Sequence, residues 1–332
     1  MSRKRLVQLV VVVLLLVIVV AGGRSIYKKI EKANQIALEL EEFNTRSVIQ
    51  TGLIYNEKQY KPKNNILSVL FLGIDRTLDT QEANPGYRYH GQSDFVMLVV
   101  VDKDKHTITR LNIDRDSITD IQVLGILGDY AGTRQDRVSL AFSFGDGREQ
   151  SAELTAEAVK RLFPYSKVDY FLAFDLGAIS KMNDVVGGVT VQISDDLTVI
   201  DPSWMPGAVI TLQGTQTERF VRSRMGVGGG TNEERMQRQN VFLSALSDIL
   251  VEKFKEDISF VNTFFDALED DMVSNMQYGR MVNEVAWAQG YEIKKIETLP
   301  GIHEIDQRGF MAFYLDEGAA AAWVIDTFYD PV

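Results

Sequence analysis

The chain has 332 residues, 45% hydrophobic and 24% charged, a composition typical of a globular protein with one large or two modest domains. Its net charge of −11 argues against nucleic-acid binding, which needs an extended basic surface. The absence of cysteine excludes disulfides, thiolate catalysis and cysteine-ligated metals, and no two of the three histidines have the spacing of a zinc site.

The amino terminus carries an apolar run, residues 6–23, broken only by Gln8. In a helix this run reaches about 27 Å, close to the hydrocarbon thickness of a bilayer. A cleaved signal peptide is the alternative, because small residues stand at 21–23, but the run is longer than a usual signal core and lacks a clear A-x-A site. Basic residues flank the run, and those before it are consistent with a cytoplasmic amino terminus. We predict a cytoplasmic tail at 1–5, a single transmembrane anchor, and a cell-membrane location.

A charged, helix-prone stretch follows the anchor and predicts a juxtamembrane stalk over residues 24–62. The polar segment from Lys61 to Asn65 then marks the start of a folded domain. We therefore expect an extracytoplasmic domain over residues 63–332.

The first strands of this domain are predicted at 66–74, 95–101 and 107–113. The first two are continuous apolar runs, as in a sheet that is buried on both faces. The polar turn at 102–105 predicts that the second and third strands form a hairpin. The next predicted elements are a helix at 151–163, a strand at 168–174, a helix at 176–186, and strands at 189–193 and 209–212.

The carboxy-terminal third reads mainly as helix. Thr231-x-x-Glu234 is a capping box that opens a helix running to about residue 256. The remaining predicted elements are helices at 258–272 and 277–289, strands at 291–298 and 310–315, and a helix at 317–328. Strands interspersed with helices predict an α/β fold, an α-β-α layered sandwich with a central mixed sheet, preceded by one transmembrane helix.

The segment from Glu218 to Gln239 concentrates arginine on an otherwise acidic chain: Arg219, Arg222, Arg224, Arg235 and Arg238. The planar guanidinium fork suits phosphate oxygens, so this cluster indicates a small anion such as a pyrophosphate. The alternative is a helix pair decorated with surface ion pairs. Arg222 and Arg224 point the same way if their segment is extended. Arg235, Arg238 and Gln239 share one face of a helix.

Carboxylates stand at the ends of the predicted strands. Asp75 follows the first strand, Asp94 enters the second, and Arg115-Asp116 follow the third. Strand ends are where α/β sheets place ligands, and two carboxylates there suit a hard cation such as Mg²⁺. Turn and strand-cap roles are the alternative. Neither a nucleotide P-loop nor a nucleophile elbow is present.

These motifs, in this order, resemble the LytR-CpsA-Psr family of membrane-anchored cell-wall enzymes over residues 64–331. The matching motifs are Gly73-Ile-Asp75, Ser93-Asp94, Ile113-Asp-Arg115-Asp116, Val168-Asp-Tyr170, Gly187-Gly188-Val189, Val221-Arg-x-Arg224 and Arg235-x-x-Arg238-Gln239.

The resemblance implies transfer of an anionic glycopolymer, such as wall teichoic acid or capsule polysaccharide, from a polyprenyl-pyrophosphate lipid to peptidoglycan. It implies that Asp75 and Asp94 hold Mg²⁺ or Mn²⁺, and that a hydrophobic tunnel takes the polyprenyl chain. Asp94, Arg115 and Asp116 are the implied catalytic residues, with either carboxylate activating the acceptor hydroxyl; the bond that breaks stays open. The implied pyrophosphate ligands are Arg115, Arg137, Arg222, Arg224, Arg235, Arg238 and Gln239.

Three positions depart from the family pattern. Gln92 stands where Arg is common, Arg137 where Lys is usual, and Asn232 where the family has Asp. The last change removes a carboxylate that would act as a base or orient an arginine. Two alternative functions therefore stay open: a non-catalytic module that binds polyprenyl pyrophosphate, and a membrane-tethered lipid pyrophosphatase.

Overall fold

The computed structural model describes residues 53–76, 90–125, 128–224, 226–227 and 229–332. The predicted cytoplasmic tail, the transmembrane anchor and most of the stalk lie outside these residues. Within the described ranges, no helix is both long and apolar enough to cross a membrane. The described residues divide into two compact units, residues 63–329 and the two terminal segments 53–62 and 330–332.

The strands of the described residues are β1 (Leu53–Tyr55), β2 (Lys58–Pro62), β3 (Ile66–Ile74), β4 (Ser93–Asp102), β5 (Thr107–Ile113), β6 (Ile118–Leu124), β7 (Tyr130–Arg137), β8 (Tyr170–Phe174), β9 (Thr190–Gln192), β10 (Val209–Thr211), β11 (Met272–Ser274), β12 (Glu292–Glu297), β13 (Gly301–Ile305), β14 (Met311–Leu315) and β15 (Tyr329–Pro331). The helices are α1 (Glu149–Leu162), α2 (Leu176–Val185), α3 (Thr215–Arg222), α4 (Asn232–Glu256), α5 (Phe260–Leu268), α6 (Tyr278–Trp287) and α7 (Glu317–Phe328), with short 3-10 helices at Val138–Phe144 and Glu269–Asp271.

In the terminal unit, β1 and β2 form an antiparallel hairpin, and the strand order is β1-β2-β15. Asn56 and Glu57 at the turn have φ of 47° and 63°, and positive φ at both central residues is the mark of a type I′ hairpin turn. The helix-prone character predicted for the stalk is therefore wrong for residues 53–62, which form this hairpin. The helical tendency of this short stretch yields to strand pairing, because isolated short helices are marginal in water.

The larger unit is built on a six-stranded sheet with the order β11-β8-β3-β4-β5-β12. The predicted hairpin of β4 and β5 is confirmed, and β3 pairs antiparallel with β4 but parallel with β8. The sheet is therefore mixed, as predicted. β3 is buried almost throughout, as its unbroken apolar sequence indicated.

Helices cover the sheet on both faces. On one face, Leu67 and Val69 of β3 pack in a cluster that includes Ala178 of α2, Val261 of α5 and Met281 of α6. Side chains alternate across a strand, so the fully buried residues between them point to the other face, where α1 contacts β6 and β8. This arrangement is an α/β fold with a central mixed sheet.

A second cluster sets the start of α4 relative to α3. Trp204 is 1% exposed and packs edge-on to Phe220 of α3, with ring centroids 6.0 Å apart. Phe242 and Leu246 of α4 are buried in the same cluster. This packing fixes the end of α3 and the first turns of α4, which carry the arginines singled out above.

Some elements were not predicted. β7 is a run of mostly polar, exposed residues, and all five residues of β13 are exposed, so neither shows the alternation of a half-buried strand. α3 continues to Arg222 and carries an i, i+4 ion pair between Glu218 and Arg222. The segment that holds Arg222 and Arg224 is therefore not extended throughout, because the helix includes the first of them, and the condition under which the two would point the same way is not met. The predicted helix at 258–272 ends early, at Leu268.

Candidate functional site

Asp75 and Asp94 meet at one edge of the sheet, where β3 ends and β4 begins. The amides of both residues donate to the carbonyl oxygen of Gln92 at 3.0 Å, and the Gln92 amide donates to Asp75 Oδ1 at 2.5 Å. Just before this point, an added Cβ at Gly73 would lie 3.0 Å from Phe95 Cβ, so glycine leaves room for the Phe95 side chain at the end of β3. Burial raises the pKa of Asp75, the Gln92 hydrogen bond opposes this, and the Asp94 charge raises it further.

Two arginines from distant parts of the chain converge on Asp94. Arg115 Nη1 donates to Asp94 Oδ1 in a short contact, and Arg115 Nη2 donates to Gln92 Oε1 at 2.6 Å. Arg235 Nη1, at the start of α4, donates to Asp94 Oδ2 at 3.0 Å. The Arg115 and Arg235 side chains are only 13% and 8% exposed. We call Asp94, Arg115, Arg224 and Arg235 the Asp94 cluster.

Arg224 completes this cluster. Its Nε donates to the carbonyl oxygen of Gly230 at 3.1 Å, while its terminal nitrogens make no hydrogen bond to the described residues. Gly230 has φ of 70°, so a left-handed turn suited to glycine lets the connection fold back. Burial lowers the pKa of Arg235; Asp94 raises it, and the nearby charges of Arg115 and Arg224 lower it again. The cluster therefore holds several positive charges at close range.

Asp116 and Arg137 lie on the other side of Arg115. Arg115 Nε and Arg137 Nη1 approach Asp116 Oδ1 at 3.5 Å and 4.0 Å, and the Arg137 guanidinium lies 5.0 Å from the centroid of the Phe310 ring. Asp116 is 3% exposed, and its Oδ2 is buried without a hydrogen-bond partner among the described residues. Burial raises the pKa of Asp116, which Arg115 partly offsets.

Three further predicted residues stand apart from the Asp94 cluster. Arg222 is 48% exposed and paired with Glu218 at 2.5 Å. Its positive charge nevertheless opposes, in small part, the rise in the pKa of Asp75. Arg238 donates to the carbonyl oxygen of Ser223 in a short contact, and Gln239 donates to that of Val221 at 3.4 Å. Arg238 and Gln239 thus fasten the end of α3 to α4.

The structure adds residues to the site that sequence reasoning did not assign to it. Asn232 Oδ1 accepts from Arg235 Nη2 at 2.7 Å, and Asn232 Nδ2 donates to Asp114 Oδ1 at 2.9 Å. Asn232 therefore orients Arg235, the role expected of the carboxylate that it replaces. The i, i+3 spacing of Asn232 and Arg235 on a helix was a signal for this contact.

Asp75 and Asp94 are the residues that would hold a divalent cation. Their oxygen donors suit Mg²⁺ or Mn²⁺, and the Gln92 amide donates to Oδ1 of Asp75 rather than to Oδ2. Mutual repulsion of the two carboxylates is part of what raises the pKa of Asp75, and a cation would relieve it. Among the described residues, no group of three or more His, Asp or Glu side chains forms a metal site. Two carboxylates fit a cation that keeps water and substrate ligands.

Comparison with known proteins agrees with this fold. The polyisoprenyl-teichoic acid–peptidoglycan teichoic acid transferase TagV of Bacillus subtilis is 26% identical over 287 residues, which is 84% of this chain and 65% of that protein. The crystal structure of B. subtilis TagV has a TM-score of 0.59 at 21% identity and covers 80% of this chain and 98% of that one. The Streptococcus agalactiae protein gbs0355 has a TM-score of 0.64 at 19% identity, covering 80% and 90%.

The sequence model of the LytR_cpsA_psr family matches residues 23–322. The match begins earlier than the motifs suggested and includes the predicted stalk. Because it spans most of the sequence, this chain belongs to the LytR-CpsA-Psr family.

Proposed function

We propose that this protein transfers an anionic glycopolymer from a polyprenyl-pyrophosphate lipid carrier to peptidoglycan. The observation that carries the proposal is the convergence of Arg115 and Arg235 on Asp94 at the edge of the sheet, with Arg224 close enough for its charge to act on Arg235. The similarity to TagV, which is named a polyisoprenyl-teichoic acid–peptidoglycan teichoic acid transferase, supports it.

The Asp94 cluster suits a diphosphate headgroup. Buried guanidinium groups that repel one another gain from an anion of two or more charges, and Arg224 has terminal nitrogens available to donate. As the phosphate leaves the transferred group, negative charge grows on its oxygens. Arg115, Arg224 and Arg235 are held by surrounding hydrogen bonds and stabilise that charge without rearrangement. Arg137, near Asp116, and Arg222, whose charge acts on Asp75, add positive charge around the cluster.

A magnesium or manganese ion held by Asp75 and Asp94 would neutralise phosphate charge when bound. Asp75 keeps one oxygen for it because the Gln92 amide bonds only the other. Asp94 has a second task, since its two oxygens set the separation of Arg115 and Arg235.

A lipid substrate also needs apolar space and a membrane. A cavity of about 400 Å³ lies between α1 and β8, but Glu153, Glu157 and Lys160 are in its lining, so it does not mark the place of a lipid chain. We assign the polyprenyl chain to the apolar interior between the sheet and its helices. We further propose that residues 6–23 anchor the chain in the cell membrane, with the domain outside; this rests on the sequence alone.

Full-length protein, a polyprenyl-pyrophosphate-linked saccharide, a peptidoglycan oligosaccharide and Mg²⁺ together test the proposal. We expect acceptor-dependent transfer by the wild type and its loss in Arg224→Gln. Arg219→Gln is the matched control, because Arg219 is exposed in the same stretch of sequence. Orthophosphate release without acceptor would favour a lipid pyrophosphatase, and donor binding without turnover would favour a binding module. Either result contradicts the transferase.

A further inference from the structure

A buried carboxylate adjoins the Asp94 cluster and has no part in the function proposed above. The Asp114 side chain is 6% exposed. Its Oδ1 accepts from the Asp116 amide at 2.8 Å and from Asn232 Nδ2 at 2.9 Å, and its Oδ2 lies 2.9 Å from His303 Nε2. A buried carboxylate needs such partners, and His303 is the ionisable group among them.

Hydrogen bonds connect Asp114 to the site without a gap. Asn232 has distinct donor and acceptor ends, and its neighbours fix which end faces which. Its oxygen accepts from Arg235 Nη2 at 2.7 Å and its nitrogen donates to Asp114, while Arg235 Nη1 donates to Asp94 at 3.0 Å. The chain from His303 to Asp94 therefore passes through three side chains.

The β13–β14 hairpin places His303 beside this chain of bonds. His303 pairs in register with Phe313, and the two ring centroids are 4.6 Å apart. The Phe313 amide donates to the carbonyl oxygen of Asp116 at 2.8 Å, which ties the hairpin to the turn after β5. Near the hairpin tip, Arg308 donates to both oxygens of Asp136 at 2.9 Å. These contacts hold the hairpin in place, and with it the His303 ring beside Asp114.

The remaining ring nitrogen of His303 is suited to accept a proton. Because Nε2 donates to the Asp114 carboxylate, the neutral imidazole carries its lone pair on Nδ1. Nδ1 has no hydrogen-bond partner in the described part of the chain, and the side chain is 35% exposed. A carboxylate that orients a histidine in this way also stabilises the imidazolium once it forms.

The carboxylates considered as bases from the sequence are less suited. Each Asp94 oxygen accepts from an arginine. Asp116 is 3% exposed and lies between Arg115 and Arg137. Neither offers an accessible oxygen to an acceptor hydroxyl as readily as His303 offers Nδ1.

We propose that His303, oriented by Asp114, is the general base of the transfer; this inference rests on the proposed function. The acceptor hydroxyl gives its proton to His303 Nδ1, and its oxygen forms the bond to the transferred group. The bond from that group to the lipid phosphate breaks, and its electron pair leaves on the phosphate oxygen, facing the arginines. The imidazolium then faces the Asp114 carboxylate and returns its proton to water.

The test compares full-length wild type with His303→Gln and His303→Ala, using the saccharide donor and peptidoglycan oligosaccharide described above. His106→Asn is the matched control, since His106 lies in the β4–β5 turn against Tyr291, with its ring centroid 4.8 Å from that of the tyrosine. General-base catalysis contributes about 10²–10⁴-fold, so we expect a loss of that order in kcat for His303→Gln. Affinity for farnesyl pyrophosphate should match that of His106→Asn, because His303 is not among the phosphate-binding arginines.

Two readouts exclude a merely structural role. The decline of the wild-type rate toward acid pH should be absent in His303→Gln, and added imidazole should restore part of the rate of His303→Ala. A His303→Gln enzyme with the rate and pH profile of the control would overturn the assignment and leave the transferase intact. A wild type that transfers nothing would remove the proposed function and this inference together.

Discussion

Arg235 and Arg238 lie one turn apart on α4 and are almost equally buried, at 6% and 2% exposure, yet they contact different kinds of partner. Burial is the main cause that lowers the pKa of both. Arg235 bonds to the side chains of Asp94 and Asn232, whereas the shortest contact of Arg238 is with the backbone carbonyl of Ser223 and its carboxylate partner, Asp195, is farther away at 3.5 Å.

The difference teaches how to separate a binding arginine from a supporting one. The Asp94 side chain is 26% exposed and stands at the sheet edge, so a phosphate can share the guanidinium groups that it holds. The Ser223 carbonyl belongs to the connection between α3 and α4, and losing its partner loosens that connection. Burial and charge alone do not distinguish the two arginines, but their partners do.

The largest effect on activity is expected from removing an arginine that contacts Asp94. Arg115→Ala removes a donor that faces the developing phosphate charge, and loss of one such donor typically reduces kcat by about 10²–10³. Steady-state transfer assays and circular dichroism should show lost activity with an intact fold. Wild-type activity in this variant would contradict the assignment of Arg115.

Substitution of Arg238 should lower the stability of the fold rather than the rate of transfer. Arg238→Gln removes a buried charged donor, and hydrogen bonds to charged groups contribute about 1.5–3 kcal/mol to the free energy of unfolding. Denaturant titration should detect a loss of that size, while transfer at low temperature persists. An unchanged midpoint with abolished transfer would place Arg238 among the phosphate ligands instead.

Arg224 offers a smaller and more specific test. Arg224→Lys keeps the charge but loses the planar fork and the bond to Gly230. We expect the affinity for farnesyl pyrophosphate to fall about tenfold, or about 1.4 kcal/mol, by isothermal titration calorimetry. Arg219→Lys is the control, and equal affinities in the two variants would argue against direct phosphate contact.

Two buried aspartates, Asp116 and Asp136, should contribute to stability with opposite dependences on pH. Burial raises the pKa of Asp116, so its contribution to stability is present below the unfolded value of about 3.9 and is lost as pH rises through the folded pKa. For Asp136, burial also acts to raise the pKa, but the hydrogen bonds from Arg308 and the Arg137 amide hold it below its usual range. Its contribution is present above the unfolded value and is lost as pH falls through the folded pKa.

Unfolding titrations of Asp116→Asn and Asp136→Asn between pH 3 and pH 7 measure these opposite signs. Relative to wild type, Asp116→Asn should become more stable as pH rises. Asp136→Asn should be destabilised at pH 7, with the difference shrinking toward pH 3. Parallel pH dependences for the two variants would show that their environments are not as described.

The sequence predicted the parts of the fold that carry a strong local pattern. β3 and β4 are apolar runs, a polar turn separates β4 from β5, and α4 begins after a capping residue, Thr231, whose side chain accepts from the Glu234 amide at 3.2 Å. The β13 strand escaped prediction because its residues are all exposed and no alternation marks them. α3 escaped because its short polar sequence depends on the packing of Phe220 for its stability.

The site was predictable as a set of residue types but not as a geometry. Arg235 and Asp94 are 141 residues apart, and His303 and Asp114 are 189 apart, so no local spacing could bring them together. Loop closure over such distances is decided by the sheet and the helix packing. The motifs therefore named all four members of the Asp94 cluster, while the structure showed which arginines face Asp94 and which support the backbone.

A crystal structure of the full-length protein with farnesyl pyrophosphate and Mg²⁺ tests the central claim most directly. We expect the diphosphate at the sheet edge, with its oxygens within hydrogen-bonding distance of Arg115, Arg224 and Arg235 and the metal ion on Asp75. A diphosphate bound elsewhere, with the Asp94 contacts of both arginines unchanged, would contradict the claim.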